Sequence, residues 1–472
     1  MKVLFVTSEC TPLAKVGGLA DVAGSLPPAL RKLGLDVFIA LPFYGFISRE
    51  DKSLKPLSKD LKINFDGKEE SFSLWQTLLP GSRVPVLLIE NDKYFGGKSV
   101  YIEEDASSGG SEAEAARFLF LSVVGIKIGQ LIKAQIIHCQ DWHVALVPFL
   151  VKQKKLKDIK TFLTIHNLAY QGIYQAKIVN RLLDTDFPEE EVNCLKMGIL
   201  NADLISTVSP SYAKEILTKE YGSGLEKYLK KRKKNLVGII NGLDLETWNP
   251  STDPHIKSKY SIQSLEKKKE NKTYLQKKFF KKANPDTPLL GIVSRLAEQK
   301  GFDLIEKIFP QLMKEGINLF ILGKGAPQYQ KLLEDKAKEY PEKFGAKIGF
   351  DEELAHQIYA GADIFLMPSS FEPCGLGQLI AMRYGTVPLV RATGGLKDTV
   401  SSVKIKKGKT TGSGFLFKDY GAENLLKTIK DALDVYKDKE VWRQVQENGM
   451  KQDFSWEKSA KKYLKIYKEL IK

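Results

Sequence analysis

Leu289-Leu290-Gly291-Ile292-Val293, followed at once by Ser294-Arg295-Leu296-Ala297-Glu298-Gln299-Lys300-Gly301, is the stretch that decides the fold. An unbroken run of apolar residues and glycine reads as a strand buried on both faces, and the polar run after it as a turn into a helix. The position of this unit gives it its weight. Leu245 to Ala283, just upstream, holds no convincing strand and is rich in Pro, Ser and Lys. Before that gap, strands are predicted at Val3–Val6, Val37–Ala40, Ile136–Cys139, Thr161–Ile165, Leu204–Val208 and Val237–Ile240, with a helical stretch from Asp21 that stops at Gly34. After it, the series restarts at Leu289 and continues at Asn318–Leu322, Ala346–Gly349, Asp363–Met367 and Val387–Val390. Trp442 to Lys472 reads as helical throughout, and Ser107 to Ser111 as a flexible loop. Short apolar strands alternating with amphipathic stretches build parallel sheets. Two such series separated by a helical insert predict two doubly wound α/β domains, whose ligands bind beyond the carboxyl ends of the strands.

Composition agrees with large, ordered cores. Of 472 residues, 43% are hydrophobic and 27% charged, which argues against disorder. The apolar run after Lys2 is too short for a signal peptide, and no stretch is long and apolar enough to span a membrane. Cys10, Cys139, Cys194 and Cys374 form no CxxC pair and no metal-ligand spacing with the five histidines. A cytoplasmic location is the expectation, with a plastid form possible if a transit peptide is absent from this chain. The formal charge of +15 raises nucleic acid as a partner. The excess sits in lysine runs such as Lys230 to Lys234 and Lys404 to Lys409, and Lys267 to Lys282 is spaced like a solvated helix face. No zinc-finger spacing or aromatic-basic pattern accompanies them, so a solvated surface is expected and no nucleic acid.

Several polar strand ends could carry chemistry. Lys15-Val16-Gly17-Gly18 precedes the first helix, where free N–H groups and a lysine suit a phosphate. The same residues equally make a tight turn with a surface lysine. Arg295 and Lys300 could clamp a diphosphate, against the alternative of a surface ion pair. In Phe371-Glu372-Pro373-Cys374-Gly375-Leu376-Gly377-Gln378 a carboxylate precedes a glycine turn that opens a helix, suiting sugar hydroxyls and phosphates respectively. Cys374 reads as a packed small residue. Asp141-Trp142-His143 and His166-Asn167 each follow a strand, and Trp142 fits a sugar platform or a core position equally.

KVGGLADV, DWH, Thr164 to Gly172, INGLD, SRLAEQKG, FEPCGL and TGGLKDTV occur in that order from the first strand to about Trp456. In this the chain resembles bacterial glycogen synthases and plant starch synthases. The resemblance implies a GT-B architecture: two Rossmann-like domains facing a central cleft, residues 1–240 with the last helix 456–472, and residues 241–455. It implies transfer of glucose from ADP-glucose to the non-reducing 4-hydroxyl of an α-1,4-glucan (glycogen or starch), with retention and with neither metal nor cofactor. Under it, Lys15, Gly17 and Gly18 resemble the first domain's contacts to the donor, and Arg295 and Lys300 the pair on the leaving diphosphate. Glu372 resembles the carboxylate on the transferred glucose, with Cys374, Gly375 and Leu376 offering backbone groups. His166 resembles the residue beside the anomeric carbon, Asp141 and Trp142 the acceptor side, Asn241 a hinge-side donor contact, and Phe350 an aromatic that stacks on adenine. The sequence departs from the family at Gly377, Ile380, Gly96-Gly97 and Ala115-Ala116. Other classes to be weighed are a UDP-glucose-using or other GT-B glucosyltransferase and a non-catalytic glucan-binding relative.

Overall fold

The structure, a computed structural model, describes residues 1–51, 53–102, 111–406 and 408–472. The chain divides into two compact units, Met1–Gly242 with Trp456–Lys472, and Leu243–Ser455. Of the loop expected at Ser107 to Ser111, only Ser111 lies within the described residues. It caps the helix Glu112–Leu131, its Oγ accepting the Glu114 N–H at 3.1 Å.

The first unit holds β1 (Lys2–Val6), β2 (Asp36–Pro42), β3 (Lys55–Phe65), β4 (Lys68–Leu78), β5 (Pro85–Glu90), β6 (Ile136–Gln140) and β7 (Lys160–Ile165). A small ribbon, β8 (Ile173–Gln175) with β9 (Glu191–Asn193), precedes β10 (Leu204–Thr207) and β11 (Leu236–Gly238). Nine of these strands form one sheet in the order β11-β10-β7-β6-β1-β2-β5-β4-β3. It is parallel except where β4 runs against β3 and β5. Val3, Phe5, Val37 and Ile39 are fully buried beneath the helix Gly18–Lys32.

The second unit holds β12 (Leu289–Val293), β13 (Asn318–Gly323), β14 (Phe344–Ile348), β15 (Ile364–Met367) and β16 (Val387–Arg391). A hairpin of β17 (Lys404–Lys406) and β18 (Lys409–Thr411) leads to β19 (Phe415–Phe417). The sheet order is β14-β13-β12-β15-β16-β19, parallel throughout. Strand order therefore reverses between β12 and β15, and in the first unit between β1 and β6. Loops leaving such neighbouring strands diverge to opposite faces and open a crevice at their carboxyl ends.

Two expectations are corrected. The stretch from Trp442 is not one helix. The helix Lys439–Met450 ends before the turn and extended residues at 451–455, and a second helix runs Trp456–Leu470. Lys267 to Lys282 is not simply a solvated face: Lys268 and Lys272 are buried. The Lys272 ammonium lies 2.6 Å from Asp363 Oδ2, an ionic partner that a lysine count cannot reveal.

Candidate active site

In the second unit the crevice between β12 and β15 is a cavity of about 200 Å³. Arg295, Lys300, Glu372, Gly375 and Leu376 all line it, together with Ser294, from loops that begin at Val293 and Met367. Lys300 Nζ sits 2.6 Å from Glu372 Oε2, and Ser369 Oγ donates to the same oxygen at 3.2 Å. Arg295 is exposed and touches Gln299 Oε1 at 3.3 Å. Backbone conformation sets this arrangement. Gly301 (φ +79) turns the chain after Lys300 where a Cβ would meet the Pro368 carbonyl at 2.3 Å. Gly394 (φ +45) brings a third loop so close to Glu372 that a Cβ would lie 1.9 Å from its carbonyl oxygen. Only glycine tolerates either position. Cys374 is buried beside the cavity without lining it. Phe350, after β14, is 85% exposed and also lies outside the lining.

In the first unit the corresponding crevice opens between β1 and β6. Glu9, which sequence reasoning missed, organises it. Its buried carboxylate accepts the N–H groups of Val16 at 2.8 Å and Gly17 at 2.7 Å, and the Tyr101 hydroxyl. The amides of Val16 and Gly17 are thus taken by Glu9, contrary to the expectation of free donors in this turn. Lys15 pairs with Asp21 at 2.9 Å and stays partly exposed. Gly17 and Gly18 have room for a Cβ, with nothing within 4 Å and no positive φ. Neither packing nor backbone conformation demands glycine there.

Asp141 has φ 64 and ψ −172, a region natural to glycine and costly for other residues. Its carboxylate accepts the Trp142 N–H at 3.0 Å. Burial pushes its pKa up to about 8 and the Glu9 charge adds to this, against the amides of Trp142, Asn167 and His166. His166 Nε2 lies 2.9 Å from Gln140 Oε1, and enclosure lowers its pKa to about 4, so the imidazole is neutral at pH 7. Gln140 is buried and its side-chain N–H₂ has no partner among the described residues. Trp142 is half-buried, set edge-on to Phe118 at 5.1 Å and against Gly172, where a Cβ would meet the ring at 2.5 Å. Asn241 belongs to this unit, buried, its Oδ1 without a donor among the described residues.

The site residues thus fall into two groups: Arg295, Lys300, Glu372, Gly375 and Leu376 in the second unit, and Asp141, His166 and the glycine turn in the first. Gln140 was legible as the residue before Asp141. Glu9 offered no signal beyond following a strand.

Residues 2–231 match the family model of the starch synthase catalytic domain, and residues 275–452 that of glycosyl transferases group 1. The chain is 42% identical to a glycogen synthase of Kosmotoga olearia, covering 100% of this chain and 98% of that protein. It is 42% identical to one of Bacillus cereus with both chains covered completely. The catalytic domain of Arabidopsis thaliana starch synthase IV, solved bound to ADP and acarbose, superimposes with a TM-score of 0.90 at 33% identity, over 100% of this chain and 99% of that one. A sucrose-phosphate synthase from Thermosynechococcus elongatus, 17% identical with a TM-score of 0.62 over 99% and 98%, shares the two-domain α/β fold alone. With both sheets, both crevices and the full length of the chain accounted for, this protein belongs to the glycogen/starch synthase family of glucosyltransferases.

Proposed function

We propose that the chain transfers glucose from ADP-glucose to the non-reducing 4-hydroxyl of an α-1,4-glucan with retention of the α configuration. The carrying observation is the cavity at the β12/β15 crossover, where Arg295, Lys300 and Glu372 meet. Arg295 supplies an exposed guanidinium for the diphosphate, and Lys300 a second positive charge bound to Glu372. Glu372 holds the hydroxyls of the glucose, and the backbone at Cys374, Gly375 and Leu376 lies beside it. Phe350 stacks on the adenine, its exposed ring free for that purpose. The ADP bound to the Arabidopsis relative supports this choice of base.

Lys15 and the Gly17-Gly18 turn approach the donor, which explains glycine where the fold does not require it. His166, neutral and oriented by Gln140, lies beside the anomeric carbon. Asp141 and Trp142 serve the acceptor, Trp142 through the part of its ring left uncovered, and Asn241 contributes from the hinge side. In the reaction the bond from C1 to the diphosphate oxygen breaks and a bond from C1 to the glucan O4 forms on the same face. The proton of the 4-hydroxyl passes to the departing phosphate oxygen, and ADP leaves. Fixed cations stabilise the charge that develops there. The four buried cysteines, joined by no disulfide among the described residues, fit a reducing compartment such as the cytoplasm. Among the described residues, no helix is long and apolar enough to cross a membrane.

Labelled glucose transfer to glycogen, from ADP-glucose and from UDP-glucose with chelator present, tests this reading. Transfer from ADP-glucose that survives the chelator is expected. No transfer, or transfer from UDP-glucose alone, overturns it.

A further inference from the structure

At the other edge of the second sheet, where β12 and β15 begin, lies a larger cavity of about 340 Å³. Lys268, Lys269 and Lys272 reach it from the helix Lys268–Phe279, and Lys439 and Arg443 from the helix Lys439–Met450. Three carboxylates share the lining, Glu266, Asp286 and Asp363, and Glu447 beside it holds the Arg443 guanidinium at 3.1 Å, so the five cations exceed their carboxylates by one. Ion pairing accounts for part of the cluster. Lys272 is held by Asp363 at 2.6 Å and Lys269 by Asp286 at 3.1 Å. Lys268, buried, donates only to neutral acceptors: the Tyr359 and Ala360 carbonyls at 3.2 and 2.7 Å and Thr386 Oγ1 at 2.7 Å. Lys439 donates to the Tyr436 carbonyl at 3.1 Å and stands over that ring at 3.3 Å.

Anchoring of the helix to the sheet explains Lys272 and leaves two observations over. The first is positive charge in excess of its carboxylates around the cavity. Burial lowers the pKa of Lys268 to about 7, with Asp363 opposing and Lys272 reinforcing the shift. The second is Trp442, which lines the cavity at 4% exposure and whose buried indole N–H has no acceptor among the described residues.

We propose that this cavity binds a small phosphate-bearing metabolite. A phosphate offers several oxygens to the ammonium of Lys439 and the guanidinium of Arg443, both exposed at the rim. The volume exceeds that of a phosphate group alone, and Leu265, Pro285 and Trp442 give the remainder an apolar wall, suited to a sugar-sized body. The site is distinct from the donor cavity, since the two lie at opposite ends of the same strands.

The test uses the full chain with ¹⁵N-labelled tryptophan, the Trp442 indole signal being assigned by its loss in Trp442→Phe. Inorganic phosphate is the probe, with sodium chloride at matched ionic strength as control. The signal is expected to shift saturably with phosphate, in the native sequence and in Arg295→Ala, whose donor site is impaired. In Lys439→Ala/Arg443→Ala the apparent affinity should fall about tenfold or more, the loss of at least one charge-assisted hydrogen bond. Both side chains are exposed, so the double variant should fold and keep its glucosyl transfer without phosphate. A signal that does not move, that chloride moves equally, that Arg295→Ala abolishes, or that the double variant leaves unchanged overturns the proposal.

Discussion

Lys300 and Glu372 hold each other at 2.6 Å with little solvent on either side chain, so removing one strands the other. Lys300→Ala should therefore lower kcat with ADP-glucose by about a hundredfold, the usual cost of losing one preorganised charge-stabilising donor. Its combination with Glu372→Gln should cost much less than the product of the two single effects, because both act through one contact. Steady-state kinetics of the three variants check this. Asp141 offers a different measurement. Its folded pKa, raised to about 8 by burial, stands above the ordinary carboxyl value of 3.8. Between those values the native state binds a proton that the unfolded state has released. The contribution to stability is thus full below the lower value and is lost as pH rises through the upper one. Asp141→Asn removes the titration, so its Tm relative to the native sequence should climb from pH 5 to about pH 8 and level off above that. A constant difference across that range would contradict the raised pKa.

Most of the parallel strands were legible because strands buried on both faces are written as unbroken apolar runs, whereas the three-residue β19, parallel to β16, was not read. β3, β4 and β5 were not read, although Asp66-Gly67 between β3 and β4 is a hairpin signal, with φ of 56 and 68. The long strands around it are half exposed and rich in lysine and glutamate, so no apolar run marks them. The loops show the same divide. Arg295, Lys300 and Glu372 are charged residues after apolar strands and stood out. Gly394 and Gly395 were part of a recognised motif, but their task, the close approach to the Glu372 to Cys374 loop, is a three-dimensional fact. Two glycine substitutions separate these cases. Gly394→Ala has no space and the wrong φ, so it should destabilise the protein by more than about 1 kcal/mol and raise KM for ADP-glucose. Gly17→Ala has space and an extended φ of −141, so its Tm should stay near that of the native sequence. Its activity should nevertheless fall, because the proposed donor approaches that turn. Thermal unfolding and kinetics on both variants give the comparison.

The chain leaves the first unit after Gly242 and returns to it at Trp456, so that unit is completed only by residues that follow the whole second unit. The returning helix does not merely cover a surface. Trp456, Ala460, Tyr463 and Tyr467 belong to the first unit's core alongside Val3, Phe5 and Phe162. Ser459 Oγ donates to the Ile240 carbonyl at 2.6 Å, and the Tyr467 hydroxyl lies 2.7 Å from His138 Nδ1. His138 Nε2 in turn lies 2.6 Å from Thr164 Oγ1, and Thr164 lies 2.7 Å from Ser206 Oγ, so a buried polar line crosses β6, β7 and β10. Burying each large side chain contributes about 1.5–3 kcal/mol, and three aromatic ones together approach the whole stability of a typical domain. A chain ending at Ser455 should accordingly lose the cooperative unfolding of its first unit in calorimetry. The second unit, continuous from Leu243 to Ser455 with its own cores, should keep a transition. Tyr467→Phe isolates the polar part of the same contact. It keeps the ring and leaves His138 Nδ1 buried without its partner, a cost of about 1–3 kcal/mol. If the truncated chain still unfolds as the complete one does, the helix is an accessory and the first unit's core closes without it.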